Sequence, residues 1–170
     1  MPHDATTIRP ANKNDAALLL SFIRRLAEYQ KLAHEVVACE ADLRRTLFGE
    51  QPSAEALIAE YTGKPAGFAI FFTNYSTFLA QPGIYLEDLF VLPEFRGQGI
   101  GKTLLEFLTV LALERNMGRL DWSVLNWNVP ARKFYEQIGA RLLTDWTHYR
   151  LDGEALQHMA ENRVGVKPGQ

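Results

Sequence analysis

Leu89-Phe90-Val91-Leu92-Pro93-Glu94-Phe95-Arg96-Gly97-Gln98-Gly99-Ile100-Gly101-Lys102-Thr103 is the stretch whose reading decides the fold. Its first residues end a β-favouring run that begins at Ile84, and Pro93 turns the chain out of that strand. Three glycines then lead into a helix whose apolar positions Leu104, Leu105, Leu108, Leu111 and Ala112 recur at helical spacing. Glycine permits unusual φ values and close backbone approach. The first N–H groups of a helix lack intrahelical partners and attract an anion. The segment reads as a phosphate cradle, with Arg96 and Lys102 adding positive charge. The glycines alone leave a flexible turn before a helix as an equal reading. Spacing removes two rivals. A P-loop ending at Gly101-Lys102-Thr103 needs an earlier glycine where Arg96 stands. A dinucleotide fingerprint starting at Gly97 and Gly99 needs glycine or alanine where Lys102 stands.

Working outward, Thr7-Ile8-Arg9-Pro10 reads as a first strand. Leu18, Leu19, Phe22, Ile23 and Leu26 mark a helix that runs to about Lys31, and Glu40 to Leu47 a second. Ala56–Tyr61 and Ala66–Thr73 form a hairpin across Thr62-Gly63-Lys64-Pro65. Ile84–Val91 is the fourth strand, and Leu120–Leu125 the fifth. Gly118 stops the helix after the glycine loop. Pro130 opens a further helix that ends near Gly139. Ala140–Leu143 and Trp146–Leu151 are two last strands, and Asp152 precedes a terminal helix. This is one α/β (α+β) domain over 4–162, with a disordered tail at 163–170.

The chain has 170 residues and a net charge of −2, which gives no reason to expect nucleic-acid binding. Cys39 is the only cysteine, so no intrachain disulfide framework exists and a reducing, cytoplasmic setting fits. No apolar run reaches the ~20 residues of a membrane span, and Met1-Pro2-His3-Asp4 does not read as a signal peptide. His3, His34, His148 and His158 show no metal-ligand spacing, so no metal is expected.

What the loop does fit is Arg-x-x-Gly-x-Gly, at Arg96, Gly99 and Gly101. With Tyr85-Leu86-Glu87-Asp88-Leu89-Phe90-Val91, Trp127-Asn128-Val129-Pro130, Lys133-Phe134-Tyr135 before Gly139-Ala140, and Phe48-Gly49-Glu50, it resembles the GNAT acetyltransferase superfamily. The likeness is to its diamine (spermidine/spermine and thialysine) branch, and it runs from Ile8 to about Met159. The resemblance implies a mixed, mostly antiparallel central sheet of about seven strands, splayed between the fourth and fifth and flanked by helices. It implies acetyl-CoA as co-substrate, a small-molecule amine as acceptor and a homodimer.

The resemblance also implies the site. Pantetheine lies in the splay like an added strand, against the backbone of Leu89, Phe90 and Val91, where an N–H can steady a developing oxyanion. Arg96, Gly97, Gln98, Gly99, Ile100, Gly101 and Lys102 hold the pyrophosphate. Asp121, Trp122 and Ser123 face them, and Asn128, Val129, Pro130 and Ala131 meet the coenzyme at the next helix start. Tyr135 matches the tyrosine that protonates the leaving thiolate; its phenol, with ordinary pKa near ~10, is protonated at neutral pH. A lysine-like ammonium, pKa near ~10.4, is neutral in only about one molecule per thousand at pH 7, so its proton must be taken. Glu87 is favoured for that, with Asp88 alternating to the other face of the strand. Core packing for Tyr135 and salt bridging for the acids are the bland alternatives.

Tyr29, Gln30 and Thr147 complete the expected acceptor site. Gln30 and Thr147 stand where a polyamine enzyme carries acids, so charge-assisted hydrogen bonds are lost. That lowers spermidine and spermine and raises a smaller amine or an amino acid such as thialysine. A peptide or protein N-acetyltransferase and a non-catalytic acyl-CoA sensor are the alternatives.

Overall fold

A computed structural model describes residues 5–161. The expected tail, 163–170, lies outside the described residues. The chain divides into two compact units, Met1–Leu125 and Asn126–Gln170.

The first unit contains β1 (Thr6–Pro10), α1 (Ala16–Tyr29), α2 (Glu40–Phe48), β2 (Glu55–Tyr61), β3 (Lys64–Ser76), β4 (Gln81–Val91), α3 (Ile100–Glu114) and β5 (Leu120–Trp122). The sheet runs in that strand order. Its first three pairings are antiparallel and β4–β5 is parallel. The chain crosses from β4 to β5 through α3, as a parallel pair requires.

Period-two alternation in the strands gives each face its own apolar layer. On one face Leu19, Phe22 and Leu26 of α1 and Leu43 of α2 bury against Ile58, Phe68 and Phe90. The rings of Phe22 and Phe68 stack with centroids 5.4 Å apart. On the other, α3 buries Ile100, Leu104, Leu105, Leu108 and Ala112. The space beside Gly101 is bounded by the side chains of Leu89 and Val91, the residues that alternate with Phe90.

The turns follow from local chemistry. Thr62 and Gly63 both take positive φ, 49° and 76°, the pair a two-residue hairpin needs. The left-handed residue that ends α3 is Asn116, φ 53°, and Met117 N–H reaches back to Ala112 O at 2.8 Å. Gly118, the expected stop, serves differently. Its N–H donates to Pro82 O at 2.9 Å, and a Cβ there would meet Gln81 Oε1 at 2.7 Å.

The second unit holds α4 (Val129–Gln137) and α5 (Gly153–Glu161). The two last strands expected at 140–143 and 146–151 do not form: five strands are present among the described residues, not about seven. Trp146 and Tyr149 are exposed there. Aromatic and branched residues suit a strand only when a neighbour pairs with it, because strand preference is mostly packing against cross-strand partners.

One ion-pair network anchors the start of the fold. Arg9 donates from both terminal nitrogens to Asp15 and from Nε to Glu60, each at 2.9 Å. Asp15 also accepts the Asn12 N–H at 2.8 Å, closing a capping box ahead of α1. Hydrogen bonding to Arg9, against the opposing effect of burial, holds the Asp15 carboxyl below its ordinary value. A depressed carboxylate stabilises the fold above its unfolded pKa, about 3.9, and loses that contribution as pH falls through the folded value. Asp15→Asn is therefore expected to cost about 2 kcal/mol in urea unfolding at pH 7. The gap to the parent should close as the pH is lowered below about 4; a gap that stays constant with pH would mean the carboxylate charge is not what Arg9 recognises.

Candidate active site

The site in the first unit is built on an interruption of β4. Its parallel ladder with β5 lasts for three pairs, Ile84↔Leu120, Tyr85↔Asp121 and Leu86↔Trp122. Among the described residues no strand pairs with that edge of β4 from Glu87 to Val91. On its other edge β4 pairs with β3 as far as Gly67↔Val91. That pairing slips once: Ile70 faces Asp88, Phe71 faces Leu86, and Glu87 has no opposite residue. This is a β-bulge, which bends a strand and re-aims side chains. Leu86 follows Phe71 to the α3 face, whereas Asp88 follows Ile70 to the α1 face with Phe90. The bulge therefore falls at the first residue beyond the β5 ladder.

Glu87 is exposed and Asp88 half-buried. Burial, and then the adjacent Glu87 charge, push the Asp88 carboxyl up to about 6. Asp121 is engaged by its neighbours, accepting from Arg119 Nε at 2.8 Å and from Asn74 Nδ2 at 3.1 Å. Ser123 Oγ lies 2.8 Å from Tyr85 Oη. Trp122 is half-buried in the ladder's last pair.

Past Val91 the chain makes a tight turn at Pro93–Phe95 and enters the glycine loop. Gly97 and Gly99 take φ 77° and 78°, values that L side chains adopt only with strain. Gly99 is the N-cap of α3, and no side chain caps it. The first-turn N–H groups of Ile100, Gly101 and Lys102 thus form a helix N-terminus suited to an anion. Gln98 is steadied by Tyr61, whose hydroxyl donates to Gln98 Oε1 at 3.2 Å and whose ring lies 6.1 Å from that of Phe95. Lys102 forms an ion pair with Glu106 at 3.2 Å. Arg96 turns back onto the sheet: its Nε donates to Val91 O at 3.1 Å, and its guanidinium lies over the rings of Tyr29 and Phe90. Tyr29 is the last residue of α1, and Gln30 its C-cap.

The remaining expected residues belong to the second unit. Asn128 caps α4, accepting the Ala131 N–H at 3.4 Å, with Val129 and Pro130 in the first turn. Tyr135 sits in the last turn of α4 against the Phe134 ring, and burial raises its phenol above the ordinary value. Thr147 is exposed in the segment between α4 and α5. Sequence reading missed Tyr61, Tyr85 and the bulge.

These features belong with an ordered likeness. The acetyltransferase (GNAT) family model matches residues 23–140. The chain belongs to the GNAT acetyltransferase family. This GNAT chain is 38% identical over 164 residues to a thialysine N-epsilon-acetyltransferase of Bos taurus, covering 90% of this chain and 96% of that one. It is 31% identical to an L-ornithine N5-acetyltransferase of Arabidopsis thaliana, over 88% and 86% of the two chains. Among solved structures, an integron cassette protein from V. cholerae superposes with a TM-score of 0.78 at 30% identity, covering 93% and 99%. The chain is accordingly an acetyltransferase of α/β fold. Among the described residues no group of acids, histidines and cysteine is placed to hold a metal ion, and no helix is long and apolar enough to cross a membrane.

The bulge pair gives a direct spectroscopic expectation. Carbon-detected NMR titration should place the Asp88 carboxyl midpoint near 6. Glu87→Gln removes a neighbouring negative charge and should lower that midpoint. An Asp88 midpoint near 4, or one indifferent to Glu87, would refute the burial and charge coupling described for the bulge.

Proposed function

We propose that this acetyltransferase moves the acetyl group of acetyl-CoA directly to the primary amine of a small molecule, foremost an amino acid with a side-chain ammonium. The observation that carries the reading is the open edge of β4 at Leu89, Phe90 and Val91, followed in the chain by the uncapped N-terminus of α3. An extended polar chain adds to such an edge by backbone hydrogen bonds, and a pyrophosphate suits such a helix end. Gly97 and Gly99 present backbone where a Cβ would meet nothing, so the loop's shape, not crowding, calls for glycine. The residues present fit the coenzyme.

Bound acetyl-CoA supplies an activated acyl thioester. The protein's part is to place the amine, take its proton and supply one to the departing sulfur. Exposed Glu87 is suited to hold the ammonium and relay its proton. Asp88 beside it, raised to about 6, is a carboxylate at neutral pH yet a better proton acceptor than an ordinary aspartate. Tyr135, raised by burial, stays protonated and is suited to donate. The curated relatives named for thialysine and ornithine share an amino acid bearing a terminal amine. Gln30 at the end of α1, where a polyamine enzyme carries an acid, supports the same class over spermidine and spermine.

Thiol release in the presence of acetyl-CoA and a panel of thialysine, ornithine, lysine, spermidine and peptides tests the proposal. Turnover should be at least about tenfold higher on the amino acids than on spermidine, the effect of one lost charge-assisted contact. Binding without turnover would make the chain a sensor, and turnover confined to peptides would move it to protein acetylation. Tyr135→Phe should lower kcat about a hundredfold while leaving coenzyme affinity nearly intact; full activity would remove Tyr135 from the catalytic set.

The pH profile tests the acids separately. kcat/KM should rise through an acid limb near pH 6, because Asp88 must be ionised. Glu87→Gln should raise the KM for amine and shift the limb to lower pH. A limb unmoved by both Glu87→Gln and Asp88→Asn would belong to some other group.

A further inference from the structure

Arg96 was expected to face the coenzyme's phosphates. Its contacts point elsewhere. Nε donates to the Val91 carbonyl at 3.1 Å. The guanidinium carbon lies 4.7 Å from the centre of the Tyr29 ring and 5.5 Å from that of Phe90. The two rings are themselves 6.3 Å apart and tilted by 49°. One flat cation thus covers two aromatic faces, within the range of cation–π attraction.

These partners come from three elements with different work. Tyr29 ends α1, Phe90 lies on the open edge of β4, and Arg96 opens the glycine loop. We infer that Arg96 is a positioning residue that ties the C-terminal end of α1 to the glycine loop, so that acceptor recognition at Tyr29 depends on how the loop is set. This rests on the proposed roles of Tyr29 toward the amine and of the loop toward the coenzyme. A lysine at 96 would keep the charge, but it lacks both the planar face and the Nε–H that meets Val91. A residue serving only as a positive charge for phosphate would tolerate that change.

The test is a cycle of the parent, Arg96→Lys, Tyr29→Leu and the double variant, with KM for thialysine measured at saturating acetyl-CoA. Each single change should raise that KM about two- to fivefold, the worth of an exposed cation–π contact. The double variant should be no worse than the poorer single. Arg96→Lys altering only the KM for acetyl-CoA, or the two effects multiplying, would overturn the inference. Urea melts of the same four proteins decide the clamp even if no amine is acetylated. Non-additive losses of stability would uphold the contact and leave the acetyl-transfer reading as the part that failed, and additive losses would overturn the clamp itself.

Discussion

Everything in the site depends on β4 losing its neighbour. A buried strand edge must satisfy its N–H and C=O groups, since an unpaired buried backbone group costs as much as a lost hydrogen bond. Here the parallel ladder with β5 stops after Leu86↔Trp122, and β4 continues to Val91. The strand keeps its antiparallel pairing with β3 on both sides of Glu87, which bulges at the point of parting. That extra residue sends Asp88 and Phe90 to one face and leaves Leu89 and Val91 facing α3. The end of the β5 ladder and the opposite facing of Glu87's neighbours thus meet at one irregularity, two carboxylates lie at it, and beyond it Val91 O is taken by Arg96 Nε.

The rest of the first unit holds that irregularity in place. α1 and α2 cover one face through Leu19, Phe22, Leu26 and Leu43, and α3 covers the other through Ile100, Leu104, Leu105 and Leu108. Fully burying an aliphatic or aromatic side chain contributes roughly 1.5–3 kcal/mol, so the two layers can hold a bulge in the strand between them. The packing also explains why the loop is tethered by side chains: Tyr61 holds Gln98, and Arg96 reaches to Val91, Tyr29 and Phe90. A loop so held presents its backbone N–H groups already oriented, which reduces the ordering cost of binding.

Much of this was legible in the chain. Helical spacing located α1 and α3, Thr62-Gly63 located the hairpin, and the order of strand, glycine loop and helix gave the fold class. Spacing also excluded the two nucleotide motifs, because single positions, Arg96 and Lys102, carry the wrong residue. The bulge was not legible, since register is a property of two strands and only one side of each pair is local. The segment 140–151 misled for the same reason: Leu142, Leu143, Trp146 and Tyr149 make it apolar and aromatic as strands are, yet pairing decides whether one forms. Arg96 was read by its charge and its place in the glycine motif. Its planar stacking depends on Tyr29, far away in sequence, and no spacing rule joins the two.

The central claim is that the open edge of β4 and the start of α3 together receive the coenzyme. Residue-resolved amide hydrogen exchange with and without coenzyme A reads both at once. Among Leu89, Phe90 and Val91, the N–H groups that point away from β3 should slow on binding, together with those of Gly97 to Lys102. The amides of Ile8 and Arg9, on the far edge strand, should not change. Saturating coenzyme A that leaves the β4 edge exchanging as before, while protecting another part of the chain, would contradict the account.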